Sequence, residues 1–258
     1  LWKLLVDKLM IWKLLLIDLQ RKLIMTEEGI KFTVYPLPSA MMLQHDLTPD
    51  MVNLLNKHLN NLRVDKNKTS SGDILVGQIY SGEQLTMDHK CDELKPFTHL
   101  MENLGVQYIQ QRVKMTRCGV YPKRVEMDQL WSVHSYAGDY NPVHDHGTQS
   151  LMGISFTTWT MVPPQIKDNK NLDLYNSSGA VDGYLNFIYG LNQIIDPERL
   201  RPAQARIIKP EVGKLLMFPS WLQHMVYPFQ GEGERRTVAG NLNCWDVTPE
   251  EMEQSKDG

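Results

Sequence analysis

Apolar residues recur at helical spacing in two stretches of the first half of the chain. The first stretch begins at Thr48-Pro49-Asp50, where a hydroxyl can cap a helix, proline suits the first turn and an acid lies near the helix N-terminus. The second stretch follows Pro96. Spacings of three and four residues turn one side of each predicted helix towards a core. The core-facing positions are Val52, Leu55, Leu59 and Leu62 in the first helix, and Phe97, Leu100, Leu104 and Tyr108 in the second.

From Trp131 onward the pattern changes to short apolar or alternating runs separated by glycines and prolines. Many short strands divided in this way predict a mainly β fold, a sandwich or a jelly-roll barrel, with the two helices packed against its outside. We predict one domain over residues 25–258, with the jelly-roll core at about residues 130–245. Ile30–Tyr35 is expected to be an edge strand, because two prolines follow it. Ile74–Tyr80 is expected to be extended. Further strands are expected at Trp131–Tyr136, Leu151–Trp159, Tyr184–Tyr189, Ala205–Ile208, Lys214–Phe218 and Arg235–Leu242.

Residues 1–24 differ from the rest of the chain. Apolar residues recur there at alternating spacings of four and three, a heptad-like pattern that predicts an amphipathic helix. Two interpretations are open. The helix either binds a partner, a membrane surface or a second copy of the chain, or is a non-native extension upstream of a natural start at Met25. The apolar seam consists of Leu5, Leu9, Trp12, Leu16, Leu19 and Leu23.

Composition narrows the class of protein. The formal net charge of −3, without a basic run, argues against a nucleic-acid partner. The three cysteines, Cys91, Cys118 and Cys244, are widely spaced and form no CxxC pair, which indicates thiols in a reducing compartment such as the cytoplasm. Charges interrupt every apolar stretch of 18 residues, so no transmembrane segment is predicted.

Three histidines form the candidate chemistry. His144 and His146 stand two residues apart in GDYNPVHDH, and side chains two residues apart share one side of an extended segment. A third, His224, follows the apolar run GKLLMFP. Three ligands on one face of an octahedron leave the other positions open for substrate and dioxygen, as in non-haem iron sites. Imidazole also binds zinc, nickel and copper, so the ligand type alone does not fix the metal.

A cationic position follows this histidine along the chain. Arg235 and Thr237 share one side of a predicted strand, eleven and thirteen residues after His224, and Arg236 faces the other side. If that shared side faces the barrel interior, a buried guanidinium requires an anion, and a planar carboxylate fits it best. The alternative is a surface pair of arginines beside Glu232 and Glu234, which would contribute little to stability.

These motifs resemble those of the Fe(II)/2-oxoglutarate-dependent oxygenase superfamily. The stretches GDYNPVHDH with SLMGISFTTW, GKLLMFPSWLQHMVYP and RRTVAGNLN are most similar to a branch of small oxygenases of bacteria and marine phages, distantly related to prolyl 4-hydroxylases. The resemblance covers roughly residues 130–243 and implies a double-stranded β-helix, a cupin-like jelly-roll. It also implies Fe(II) and 2-oxoglutarate as cofactors, with ascorbate as an additive in vitro. The expected reaction consumes dioxygen, hydroxylates a substrate and releases succinate and CO2.

The resemblance assigns His144, His146 and His224 as metal ligands, and Arg235 with Thr237 as the group that holds the far carboxylate of 2-oxoglutarate. The superfamily commonly has His-x-Asp or His-x-Glu where this chain has His-x-His. Asp145 therefore stays an alternative ligand, provided that the local turn rotates it inward. His134, Tyr136, Tyr140, Gln149, Trp159 and Asn241 are further candidates for pocket contacts, and Trp221 is expected to pack against the turn that carries His224.

Two other classes of function remain open. The first is a cupin-like three-histidine metal protein, such as a thiol dioxygenase or a ligand-binding module, that does not use 2-oxoglutarate. The second is an interaction protein that keeps the barrel but has lost activity. The element Arg235-x-Thr237 discriminates the 2-oxoglutarate oxygenase from the first alternative, because a site without 2-oxoglutarate does not need to bind an anion. Purified protein without metal and without affinity for 2-oxoglutarate would favour the second.

Overall fold

The computed structural model describes residues 23–27, 30–36, 40–72, 74–116, 121–150, 152–168, 181–196 and 201–246. Helix α1 spans Pro49–Val64, and the Thr48 side chain accepts a hydrogen bond from the Met51 amide, as the capping pattern predicted. Helix α2 spans Lys95–Thr116, so it begins before Pro96 rather than after it as predicted, and a short helix α3 spans Pro164–Asp168.

A large antiparallel sheet has eight strands in the described part of the chain. In chain order they are β1 (Leu23–Glu27), β2 (Ile30–Pro36), β3 (Met41–Asp46), β4 (Glu83–Thr86), β5 (Arg124–Ser135), β7 (Ile154–Met161), β10 (Lys214–Pro219) and β12 (Arg235–Trp245). Their spatial order is β1-β2-β3-β10-β7-β12-β5-β4.

A smaller sheet of four described strands faces the large one. It has the order β6-β11-β8-β9, where β6 is Asn141–His144, β8 is Leu185–Asp196, β9 is Arg201–Ile208 and β11 is His224–Val226. The chain thus alternates between the two sheets in the double-stranded β-helix arrangement, and the predicted mainly β fold is confirmed.

Alternation along β10 shows how the layers pack. Leu215 and Met217 join the apolar core that the large sheet forms with α1 and α2, whereas Leu216 and Phe218 join the core between the two sheets. The helices therefore cover the outer face of the large sheet, as predicted, and its inner face and the small sheet enclose the barrel interior. Of the predicted core-facing residues on the helices, Val52, Leu55, Leu59, Phe97, Leu104 and Tyr108 are buried and Leu62 and Leu100 are partly buried.

Several expectations for the first part of the chain need correction. Strand β2 is not an edge strand, because β1 pairs with its outer side. Leu23, assigned to the N-terminal helical seam, begins β1 instead. The other seam residues lie outside the described residues. Residues 74–80 form a loop with one bridge, between Gln78 and Tyr140, rather than a strand.

None of the helices in the described residues has the length and apolar character to cross a bilayer.

Candidate metal and anion site

The fold brings the three histidines together in one cluster. His144 ends β6 and His224 begins β11, and these two residues are direct partners in the small sheet. His146 follows in the loop, where its amide donates to the Ser220 carbonyl at 2.9 Å. One candidate ligand atom from each imidazole lies within 4.8 Å of the others, and among the described residues no other such group of histidine, cysteine or acidic side chains occurs. The three rings can therefore face one metal ion.

In His144 and His224, hydrogen bonds determine which ring nitrogen can bind a metal. His144 Nδ1 lies 2.7 Å from the Pro142 carbonyl oxygen, and His224 Nδ1 lies 2.9 Å from that of Leu222. A carbonyl oxygen only accepts, so each Nδ1 carries the proton and each Nε2 keeps its lone pair. Metal-binding histidines commonly show this arrangement, in which one nitrogen binds the metal and the other donates to the protein.

Burial keeps these imidazoles neutral. It lowers the pKa of His144 and His224 and lowers that of His146 to about 4, and electrostatic repulsion from the neighbouring rings lowers the pKa of His146 and His224 further. A neutral ring is the form that can donate a lone pair to a metal. The site is thus ready to bind a cation near neutral pH.

Asp145 does not take part in this group. Its side chain is exposed to solvent between the two histidines, and it is absent from the cluster of potential ligands. The turn therefore does not rotate it inward.

Arg235 lies at the start of β12 with its side chain in the barrel interior and is 1% exposed. Its guanidinium donates to the Gly183 carbonyl at 3.0 Å, to the Tyr227 carbonyl at 3.4 Å and to Ser135 Oγ at 3.0 Å, and its Nε has no hydrogen-bond partner in the described residues. Among the described residues no carboxylate lies within ion-pair distance of it. Burial lowers the pKa of Arg235 to about 10, although the charge of Asp139 raises it in part. A buried cation with an unpartnered nitrogen fits an anionic ligand.

Arg235, Thr237 and the three histidines line the same pocket. Its remaining walls are mostly apolar and come from both sheets and from the loop before β4. They consist of Leu75, Val76, Gln84, Trp131, Val133, Asn141, Phe156, Thr157, Trp159, Leu185, Phe218, Val226 and Ala239. Such walls exclude water from the space between the imidazoles and the guanidinium, which strengthens electrostatic interactions there.

Arg236 faces the opposite side of the strand and is also buried, so the alternative of a surface pair of arginines is wrong. Its Nε and Nη2 donate to the two carboxylate oxygens of Glu234 at 2.6 and 3.0 Å, and its Nη1 donates to Asn56 and Asn60 of α1. These partners satisfy the guanidinium and attach the helix to the sheet. Of the two arginines, only Arg235 has capacity left for an anion in the pocket.

Among the weaker candidates, Trp159 lines the pocket, and Asn241 contacts the His146 ring rather than the pocket. His134 and Tyr136 face away from the pocket, where His134 contacts Glu234 and Tyr136 contacts Arg63. Gln149 donates to Asp128 outside the pocket, and Trp221 is 54% exposed rather than packed. Tyr140 only forms the backbone bridge to Gln78.

Sequence reasoning missed the residues that hold these side chains in place. Gly183 and Ser135 bind the Arg235 guanidinium, and Ser155 contacts His146. Side chains alternate along a strand, and this alternation places Ser135 of β5 and Ser155 of β7 on the inward side. The alternation could therefore have indicated both residues from the sequence. Gly183 belongs to a turn far away in sequence, and no sequence pattern indicated it.

Comparisons with known proteins agree with this geometry. Residues 129–241 match the family described as "Putative 2OG-Fe(II) oxygenase". A prolyl 4-hydroxylase of Pseudomonas putida has a similar structure, with 14% identity, 79% of this chain and 92% of that chain covered, and a TM-score of 0.50. AviO1 of Streptomyces viridochromogenes is similar at 12% identity, 81% and 91% coverage and a TM-score of 0.51.

A third similar structure is SnoN, a non-haem α-ketoglutarate-dependent epimerase of nogalamycin biosynthesis. It shares 11% identity, with 79% of this chain and 78% of that chain covered and a TM-score of 0.52. No curated protein sequence matches the chain. At these identities the structural likenesses establish the fold alone.

Proposed function

Residues 129–241 belong to the 2OG-Fe(II) oxygenase family, and from that premise we propose that His144, His146 and His224 bind the Fe(II) and that Arg235 with Thr237 binds the far carboxylate of 2-oxoglutarate. The protein is an Fe(II)- and 2-oxoglutarate-dependent oxygenase. When bound, the iron and 2-oxoglutarate supply the oxidising chemistry with dioxygen, and the protein supplies orientation and a dry pocket. We propose hydroxylation of a C–H bond as the outcome.

One observation carries the assignment of the anion site. Arg235 is fully buried, lacks a carboxylate partner among the described residues and lines the same pocket as the three imidazoles. Burying a guanidinium without an anion is costly, so its retention there is explained by a ligand that brings the negative charge. The rival function, a three-histidine metal protein without 2-oxoglutarate, gives no reason for this cation.

The position of the anion site leaves one side of the pocket for the substrate. Gln84, Val133 and Thr237 are consecutive partners across β4, β5 and β12, so Gln84 lies two strands, roughly 10 Å, from the carboxylate site. Gln84 is buried and lines the pocket, and its Oε1 has no hydrogen-bond partner among the residues that the structure describes. We propose that the substrate enters on this side and that a substrate N–H or O–H group donates to Gln84.

Anaerobic titration of the protein with Fe(II) and 2-oxoglutarate tests the proposal. The expected result is a weak visible metal-to-ligand charge-transfer band in the wild-type protein that is lost in His224→Ala and weakened in Arg235→Ala. The matched control is Arg236→Gln, which changes the neighbouring buried arginine outside the pocket. A protein that binds Fe(II) but shows no band with 2-oxoglutarate would contradict the proposal and favour the rival function.

We also propose a cytoplasmic location for the enzyme. Cys91 and Cys244 are free thiols, and a buried thiol such as Cys244 persists without oxidation in a reducing compartment. Association of copies of the chain stays a prediction.

A further inference from the structure

The ring of His146 is held by a chain of side chains outside the pocket. Its Nδ1 lies 2.9 Å from Asn241 Oδ1 and 2.9 Å from Ser155 Oγ. Ser155 Oγ in turn donates to Asn241 Oδ1 at 2.8 Å, and Asn241 Nδ2 donates to Gln129 Oε1 at 3.1 Å. Asn241 therefore presents its carbonyl oxygen to the imidazole, because its amide nitrogen is engaged with Gln129.

We propose that Asn241 is a positioning residue that fixes the Nδ1–H tautomer of His146 and thereby directs the Nε2 lone pair at the metal position. This inference rests on the proposed metal site. His144 and His224 obtain the same tautomer from backbone carbonyls two residues before them, which no side-chain substitution removes. His146 alone among the three depends on side chains from other strands, Ser155 of β7 and Asn241 of β12.

The dependence follows from the ligand type at this position. A carboxylate ligand offers two equivalent oxygens and needs no tautomer, whereas an imidazole binds a metal only through a nitrogen without a proton. A histidine at residue 146 therefore creates a need for an acceptor at Nδ1. The side-chain oxygen of Asn241 on β12 is this acceptor, because it lies 2.9 Å from His146 Nδ1. Asn241 is itself buried, at 2% exposure.

The chain offers a matched control on the same strand. Asn243 lies two residues after Asn241, is also 2% exposed, and accepts a hydrogen bond from the Ser150 amide at 3.0 Å. Substitution of Asn243 by leucine thus removes a buried amide of the same kind without touching a histidine. A general packing defect should appear in both variants, whereas loss of the tautomer should appear only in Asn241→Leu.

The first measurement uses the metal-free wild-type protein. Nitrogen-15 NMR of the imidazoles, with the His146 signals assigned through a His146→Gln variant, reports which nitrogen carries the proton. The expected spectrum shows a protonated Nδ1 and an unprotonated Nε2 for His146. A protonated Nε2, or an even mixture of tautomers, overturns the inference without any variant.

The second measurement is the dissociation constant of Fe(II), obtained by anaerobic calorimetry. Loss of such an outer hydrogen bond weakens metal binding by about 10- to 100-fold, and we expect this for Asn241→Leu and no change for Asn243→Leu. Asn241→Asp keeps an acceptor at the ring and should restore both the tautomer and the affinity. Equal losses in the two leucine variants, or no rescue by aspartate, overturn the inference. If the wild-type protein itself does not bind Fe(II), the proposed function fails instead.

Discussion

Arg235 and Arg236 are neighbours on β12 that face opposite sides of the sheet, and among the described residues only Arg236 has a carboxylate partner. Glu234 binds Arg236 with both of its oxygens, whereas Arg235 donates to two backbone carbonyls and a hydroxyl, and its Nε has no partner within the described part of the chain. Alternation along one strand thus separates a structural cation from a cation available to a ligand.

This separation predicts different effects of two substitutions. Arg235→Ala should raise the dissociation constant of 2-oxoglutarate by about 30-fold or more, because truncating one partner of a buried charge pair costs about 2 to 5 kcal/mol. Arg236→Gln should lower the stability of the fold but leave that constant unchanged in the folded protein. Calorimetric titration with 2-oxoglutarate in the presence of Fe(II) measures both. An equal loss of affinity in the two variants would remove Arg235 from the anion site.

The metal site predicts a clear pattern among the histidines. Alanine at position 144, 146 or 224 should abolish stoichiometric Fe(II) binding, because each substitution removes one of the three proposed ligands. His99→Ala should bind Fe(II) as the wild type does, since His99 is exposed on α2. Metal content after anaerobic loading and desalting measures the result.

The exposed acid between two of the ligands gives a separate prediction. Asp145→Ala should retain the full metal content, because the Asp145 side chain faces solvent. Loss of iron in this variant would show that Asp145 turns inward to become a ligand.

Glu234 predicts a pH dependence of stability. Burial raises its pKa, but hydrogen bonds from His134 and Arg236 outweigh that effect, and the pKa falls from 4.5 to about 2. A carboxyl whose pKa is lower in the folded state stabilises the fold at pH values above its unfolded pKa, and this contribution is lost as the pH falls from about 4.5 towards about 2. Glu234→Gln should therefore cost about 2 to 3 kcal/mol at neutral pH.

Urea unfolding of the wild type and Glu234→Gln at pH 7 and at acid pH measures this contribution. The difference in the free energy of unfolding between the two proteins should shrink as the pH falls below 4.5. A difference that stays constant with pH would show that Glu234 acts through packing and not through its charge.

The backbone of His134 leaves no room for a side chain at residue 82. A Cβ on Gly82 would stand 1.6 Å from the backbone oxygen of His134, so Gly82→Ala has to displace β4 from β5. Overpacking of this kind costs about 1 to 3 kcal/mol and sometimes more. Gly147→Ala is the control, because no atom of the described residues lies within 4 Å of its added Cβ. Thermal unfolding should separate the two variants, and equal melting temperatures would contradict the prediction.

Local patterns were sufficient for much of the fold. The Thr48-Pro49-Asp50 start of α1, the core-facing sides of both helices and the strands β5, β7, β10 and β12 follow from capping, helical spacing and alternation, which act over a few residues. The short strands β6 and β11, which carry His144 and His224, were not predicted. Alternation likewise placed Arg235 and Thr237 on one side of β12. The edge position of β2 was wrong, because the pairing of β1 with its outer side cannot be read from the sequence of β2.

The sequence by itself determined the mainly β class, the supporting helices and the candidate residues His144, His146, His224, Arg235 and Thr237. Only the tertiary structure decided that these residues share one pocket and that, within the described part of the chain, Arg235 rather than Arg236 lacks a carboxylate partner. It also brought Asn241 to His146, across 95 residues of sequence. The physical reason is that burial, charge pairing and imidazole tautomers depend on side chains from separate strands, which sequence spacing does not bring together.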